Sequence, residues 1–173
     1  MNSLLQAIVN VAGLLPVMTS VVVIVAFISG IIFFIKAIVA MAKPANSAHG
    51  SEVGFVVTNL VVGTVLVTLG SFVIMMTQTL FSSNTVSNAG EIFAYAPGTI
   101  GVIDDASTRR VITAIVGIVQ FIGLIGFIRG LFLMSAYSKQ AVQTIGPAVT
   151  FIIAGILAMN FPRVVGYFSE LFM

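Results

Sequence analysis

The sequence predicts an all-α membrane protein of four apolar helices, arranged as two tandem helical hairpins in a parallel internal repeat, with a short N-terminal helix ahead of them. Three observations predict this. Of 173 residues, 59% are hydrophobic and only 7% charged, and the mean hydropathy is +1.19; a soluble domain is about a quarter charged. Residues 1–35, 53–90, 111–128 and 140–162 contain no Asp, Glu, Lys or Arg, and each run can hold a helix of the about 20 apolar residues that span a bilayer. The third observation is a repeat that keeps a lone cation in register.

Residues 4–42 are apolar and too long for one straight span at about 1.5 Å per residue. Pro16 is expected to divide them, because proline suits a first helical turn and disrupts an interior. That predicts a leading helix over residues 3–14 and a first membrane helix over 17–42. Residues 43–52 (KPANSAHGSE) form a polar turn punctuated by Pro and Gly. A second apolar helix is expected over 53–81. Residues 82–110 carry Ser, Asn, Gly, Pro and the pair Asp104–Asp105 and read as the one long polar connector. The aspartates, with Ser107 and Thr108, offer N-cap oxygens to a third helix over 108–137. A turn at 138–140 leads to a fourth helix over 141–160, where Pro162 interrupts the tail. The chain thus divides into a first hairpin with its leading helix (1–81), a connector (82–110), and a second hairpin with its tail (111–173). The uncharged start, far longer than the apolar core of a secretory signal, reads as structure.

The repeat lies in residues 30–41 (GIIFFIKAIVAM) and 123–134 (GLIGFIRGLFLM), identical without a gap at five of twelve positions. Apolar bias explains some identity, but not the matched placement of the sole embedded cation of each helix, Lys36 and Arg129. Duplication is the reading, and parallel repeats are a known membrane plan. The second helices match more loosely, 70–75 (GSFVIM) against 155–159 (GILAM) with a one-residue slip. Two apolar helices joined by a short cationic turn are similar to the small pilins of conjugation systems.

Among candidate functional residues the cations come first. A cation inside a spanning helix costs about 2.5–3.5 kcal/mol at the bilayer centre, which snorkelling to the interface reduces. Lys36, Lys43, Arg129 and Lys139 therefore read either as lipid-headgroup or lumen-facing groups or as plain snorkelling cations. The two turns that hold Lys43 and Lys139 face the cytoplasm by the positive-inside rule. Gly30, Gly123, Gly126, Gly130 and Gly155 read as helix-packing positions, with 126 and 130 in small-xxx-small spacing. Asn59, Gln78, Gln120, Gln143 and Asn160 could hydrogen-bond between helices. His49 has no second His or Cys beside it, so it reads as a loop residue and no metal is expected. No cofactor is expected beyond bound phospholipid. No Asp, Glu or His is embedded in a span, which speaks against a proton relay and against an activated intramembrane nucleophile. Zero cysteines exclude disulfide and thiolate-metal chemistry, and seven scattered Lys/Arg do not make a nucleic-acid-binding patch.

Residues 151–161 (FIIAGILAMNF) and 124–130 (LIGFIRG) resemble the IcmC/DotE family of small inner-membrane proteins of type IVB secretion systems, with TraQ-like counterparts in IncI-type conjugation. The likeness is most specific over residues 120–165; Pro162–Arg163 departs from it. It implies a non-enzymatic component of an envelope-spanning transfer apparatus in the bacterial inner membrane, with other apparatus proteins as partners. Together with the hairpins, it predicts a pilin-like subunit that associates with itself and with phospholipid, extruded as a pilus or held in the inner membrane. The alternatives are a channel or scaffold of the same apparatus that forms no filament, and a separate holin-like pore. A pore would need polar side chains along one helix face, and the spans offer little beyond Thr58, Thr64 and Thr68.

Overall fold

A computed structural model describes residues 3–42, 50–81, 106–138 and 145–172. Among these described residues six helices lie in chain order: α1 (Ser3–Ala42), α2 (Gly50–Val67), α3 (Leu69–Phe81), α4 (Ala106–Tyr137), α5 (Gly146–Met159) and α6 (Phe161–Phe172). Every regular element among the described residues is an α-helix. Among the described residues two stretches, Gln6–Ala42 and Arg110–Tyr137, are long and apolar enough to cross a membrane, and a third span results if Val53–Val67 and Leu69–Met76 count as one bent unit.

Pro16 does not divide the first stretch: it lies inside α1, which runs unbroken for 40 residues. Proline keeps a helical φ and removes only one ladder donor, a loss that apolar helices tolerate where nearby groups take up the freed carbonyl; past it the helix continues, with Ser20 Oγ donating to the Pro16 carbonyl at 3.0 Å. The short separate N-terminal helix is therefore corrected to the first third of α1.

The second helix, expected whole over 53–81, breaks at Thr68, and its two halves are bent by 87°. The sequence supplies the cause. Thr64 Oγ1 donates to the Leu60 carbonyl and Thr68 Oγ1 to the Thr64 carbonyl, back-bonding that bends helices, and Gly70–Ser71 follows at once, a pair on which sharp kinks concentrate. The fourth helix ends at Met159, and Asn160 takes a turn conformation (φ −103°, ψ 21°). Pro162 has no N–H to give the Ala158 carbonyl, so the α5 ladder cannot pass through it. Arg163 and Val164 N–H both bond the Asn160 carbonyl instead, and the interrupted tail restarts as α6. Residues 43–49, 82–105 and 139–144, which include most of the two turns and the connector, lie outside the described residues.

The helices pair at glycines. α1 and α2 run antiparallel and cross where a Cβ on Gly30 would lie 3.0 Å from the Gly63 carbonyl oxygen and one on Gly63 would lie 3.1 Å from that of Gly30. α4 and α5 are likewise antiparallel and closest at Gly123 and Gly155, with a second approach at Gly130 against Ile152 and Ala148. α1 and α4 run parallel: Leu15 reaches Gly117 near one end, and the rings of Phe33 and Phe132 meet at 5.7 Å nearer the other. α4 sits centrally, with 44% of its most apolar window buried against 17% for α1. The core joins Ala26, Val62, Leu66 and Leu69 to Leu124, Phe127, Ile128, Leu131 and Met159. After its bend α3 turns toward α4 and α5, stacking Phe72 on Phe127 at 5.8 Å.

Candidate functional site

Two kinds of polar feature stand out from this apolar body, surface cations and polar groups at helix junctions. Lys36, on the last third of α1, is exposed and holds its ammonium 5.3 Å from the ring centre of Phe33, one turn back on the same helix. Arg129, on α4, is exposed as well, but its guanidinium lies 5.0 Å from the ring of Phe151, contributed by α5. Each cation–π contact is worth about 0.5–1 kcal/mol at an exposed site and about 2 when desolvated. A guanidinium resting on a ring leaves its N–H edge free for bidentate bonding to an oxyanion such as phosphate. The two cations are held on different helices and different platforms, so they form two separate positions. Lys43 and Lys139, the other two cations of the expected set, lie outside the described residues, as do His49, Asp104, Asp105 and Gln143.

Of the glycines expected to serve packing, Gly30, Gly123, Gly130 and Gly155 are buried and stand at the helix approaches described above. Gly126 differs: a Cβ there would meet nothing within 4 Å. The face of α4 turned to α5 carries residues 123, 127 and 130, so the contact uses a seven-residue spacing, and the 126–130 pair is not used as one.

The polar groups lie at the junctions. Ser135 Oγ on α4 donates to Asn59 Oδ1 on α2 at 2.7 Å, while Asn59 Nδ2 donates to the Phe55 carbonyl at 2.7 Å. Gln120 Nε2 donates to the Met159 carbonyl at 3.0 Å, tying α4 to the last residue of α5. At the break itself Arg163 donates to Asn160 Oδ1 at 3.1 Å, and Asn160 Nδ2 donates to the Ile156 carbonyl at 3.0 Å. Gln120, Asn59, Ser135 and Asn160 are all buried, whereas Gln78 is exposed. Periodicity does not single out Ser135, Arg163 or the bend at Thr68, for which the Thr64, Thr68, Gly70–Ser71 run was the available signal; Pro162 marked the break before the tail. Between Phe72, Phe127, Met159 and Asn160 the elements leave a seam too tight for a water molecule.

No family model, no curated protein and no solved structure matches this chain.

Proposed function

We propose that the chain is a non-enzymatic structural subunit of a type IVB secretion or conjugative transfer apparatus: an integral membrane protein of two tandem hairpins, duplicated in the same topology, that assembles with copies of itself and with phospholipid into a pilus or an inner-membrane assembly. The observation that carries this reading is the uncovered apolar surface. Within two turns of α1, Val21, Ile24, Val25, Phe27 and Ile28 are all exposed, and α5 exposes Val149, Phe151, Ile153 and Leu157. Soluble monomers seldom expose a contiguous apolar patch above about 300–600 Å², so lipid and neighbouring protein are the fitting cover.

The duplication is supported by place as well as by sequence. Gly30 and Gly123 are 93 residues apart, as are Phe34 and Phe127, while Gly63 and Gly155 are 92 apart, as are the breaks at Thr68 and Asn160. In both hairpins the second-helix glycine faces the backbone N of that phenylalanine. Gly155 therefore corresponds to Gly63, not to the Gly70 that unaided alignment favours. The apparatus itself is proposed from the resemblance at residues 124–130 and 151–161. Lys36 and Arg129 are the proposed headgroup contacts.

Carbonate-washed membranes and shed surface filaments, each analysed by mass spectrometry, test the proposal. The chain is expected in the washed membranes and, for the pilus form, in filaments seen by negative stain. Recovery from inner membrane alone would overturn the pilus form and leave the scaffold alternative; recovery as soluble protein would overturn the whole.

A further inference from the structure

We infer that copies of the chain dock head to tail by repeating the interface that joins its own two hairpins. This rests on the self-assembling membrane subunit proposed above and names the two surfaces that would meet. Within the chain α4 seats on the first hairpin through one face, where Phe121, Leu124, Ile128 and Leu131 are at most 9% exposed and Ser135 bonds Asn59. The residues 93 positions earlier, Ile28, Ile31, Ile35 and Ile38 of α1, hold the same places about the Gly30 crossing. They are 41–59% exposed.

The receiving face shows the same contrast. α2 and α3 present Asn59, Val62, Leu69 and Val73 to the second hairpin, each at most 5% exposed. Their counterparts 92 positions later are Phe151, Ala154, Phe161 and Val165, all exposed. The stripe continues along α6, where exposure rises from 40% at Phe161 through 48% at Val165 to 58% at Phe168. The chain thus leaves open one surface of the kind α4 uses to insert and one of the kind α2–α3 uses to receive. A second copy, bringing its α1 to the α5–α6 face, would satisfy both as the chain satisfies them internally. Gly126 fits this arrangement. It is the counterpart of Phe33, whose ring meets Phe132; the space over Gly126 is open, and Val39, the counterpart of Phe132, is exposed. The contact joins two different surfaces, so it is heterologous and propagates into a filament or ring where a two-fold contact would stop at a dimer.

The chain has no cysteine, so introduced thiols are the only ones present. Val39→Cys and Gly126→Cys are made singly and together, both at positions with room for a side chain, and oxidised in native membranes. Within one chain these positions lie about 18 Å apart along the bundle, beyond disulfide reach. The expected result is no covalent multimer from either single variant and a ladder at multiples of the 18.2 kDa chain from the double variant. Ala42→Cys with Phe151→Cys, counterparts of Ser135 and Asn59, should give the same ladder. Dimers from a single variant would overturn the head-to-tail contact in favour of a two-fold one. If neither pair gives a ladder while glutaraldehyde still links unmodified chains, this interface is wrong and self-association stands. If glutaraldehyde also yields only monomer, self-association itself fails.

Discussion

Gly123 and Gly155 meet backbone to backbone: a Cβ on Gly155 would lie 2.8 Å from the Gly123 carbonyl oxygen and 2.6 Å from Phe127 N, and one on Gly123 would lie 2.7 Å from Met159 N. The obstructing atoms are main chain, which cannot swing aside as a side-chain tip can. Gly155→Ala must then push α4 and α5 apart, and the expected loss is about 1–3 kcal/mol, typical of overpacking. Gly126→Ala, with open space around it, is expected to be neutral or to gain up to about 1 kcal/mol from helix propensity. Reversible unfolding in mixed micelles separates the two; equal effects would mean the α4–α5 contact is not where the glycines place it.

The Ser135–Asn59 bond joins the hairpins where side-chain polarity is scarce. Hydrogen bonds between membrane helices average about 0.6 kcal/mol and reach about 1.7 in double-mutant cycles. A cycle of Ser135→Ala and Asn59→Ala is expected to give a coupling in that range, at its upper end because both residues are buried. A coupling of zero would show that this bond adds nothing to the joint between the hairpins.

The bend at Thr68 follows from local chemistry and should yield to it. Thr68→Ala removes one back-bond and Gly70→Ala removes the flexible link, so the double variant is expected to straighten α2 and α3. Spin labels at Val53 and Met76 would then move from about 25 Å apart, for two legs at a near right angle, to about 34 Å for a straight helix. An unchanged distance would assign the bend to tertiary packing of Phe72 on Phe127.

How far the sequence discloses this fold depends on which residues set each feature. Helix content and the apolar lengths follow from period and composition, because a lipid-compatible helix writes its length directly into its hydropathy; which glycines pair does not, since Gly63 stands at the first crossing and Gly126 at none. Helix breaks do not, because they turn on one or two hydrogen bonds. Pro16 looks like a break and is not one: it removes one ladder bond, and α1 runs on past it. Pro162 looks like a break and is one, withholding the N–H that would carry α5 past Asn160, whereas Thr68 looks unremarkable and is a break because two threonines and a Gly–Ser pair act together. The place of Lys36 and Arg129 in the repeat was legible; the ring under Arg129 was not, because Phe151 lies on another helix and only the crossing at Gly130 brings it there.

That pairing of Arg129 with Phe151 allows headgroup binding to be told from snorkelling. Both roles need a cation at the membrane interface, and lysine fills the snorkelling role as well as arginine does. Phosphate capture by a guanidinium held over a ring uses two parallel N–H groups, which an ammonium cannot present. Arg129→Lys is therefore expected to leave membrane insertion unchanged and to lower co-purifying anionic phospholipid about tenfold, the effect of losing about 1.4 kcal/mol of charge-assisted hydrogen bonding. Phe151→Leu is expected to lower it in the same direction by freeing the guanidinium from its platform. Lipid extraction and phosphate analysis of the purified variants, compared with Lys36→Ala plus Arg129→Ala, measure the effect. If Arg129→Lys retains the full complement of lipid, Arg129 snorkels and does not bind a headgroup.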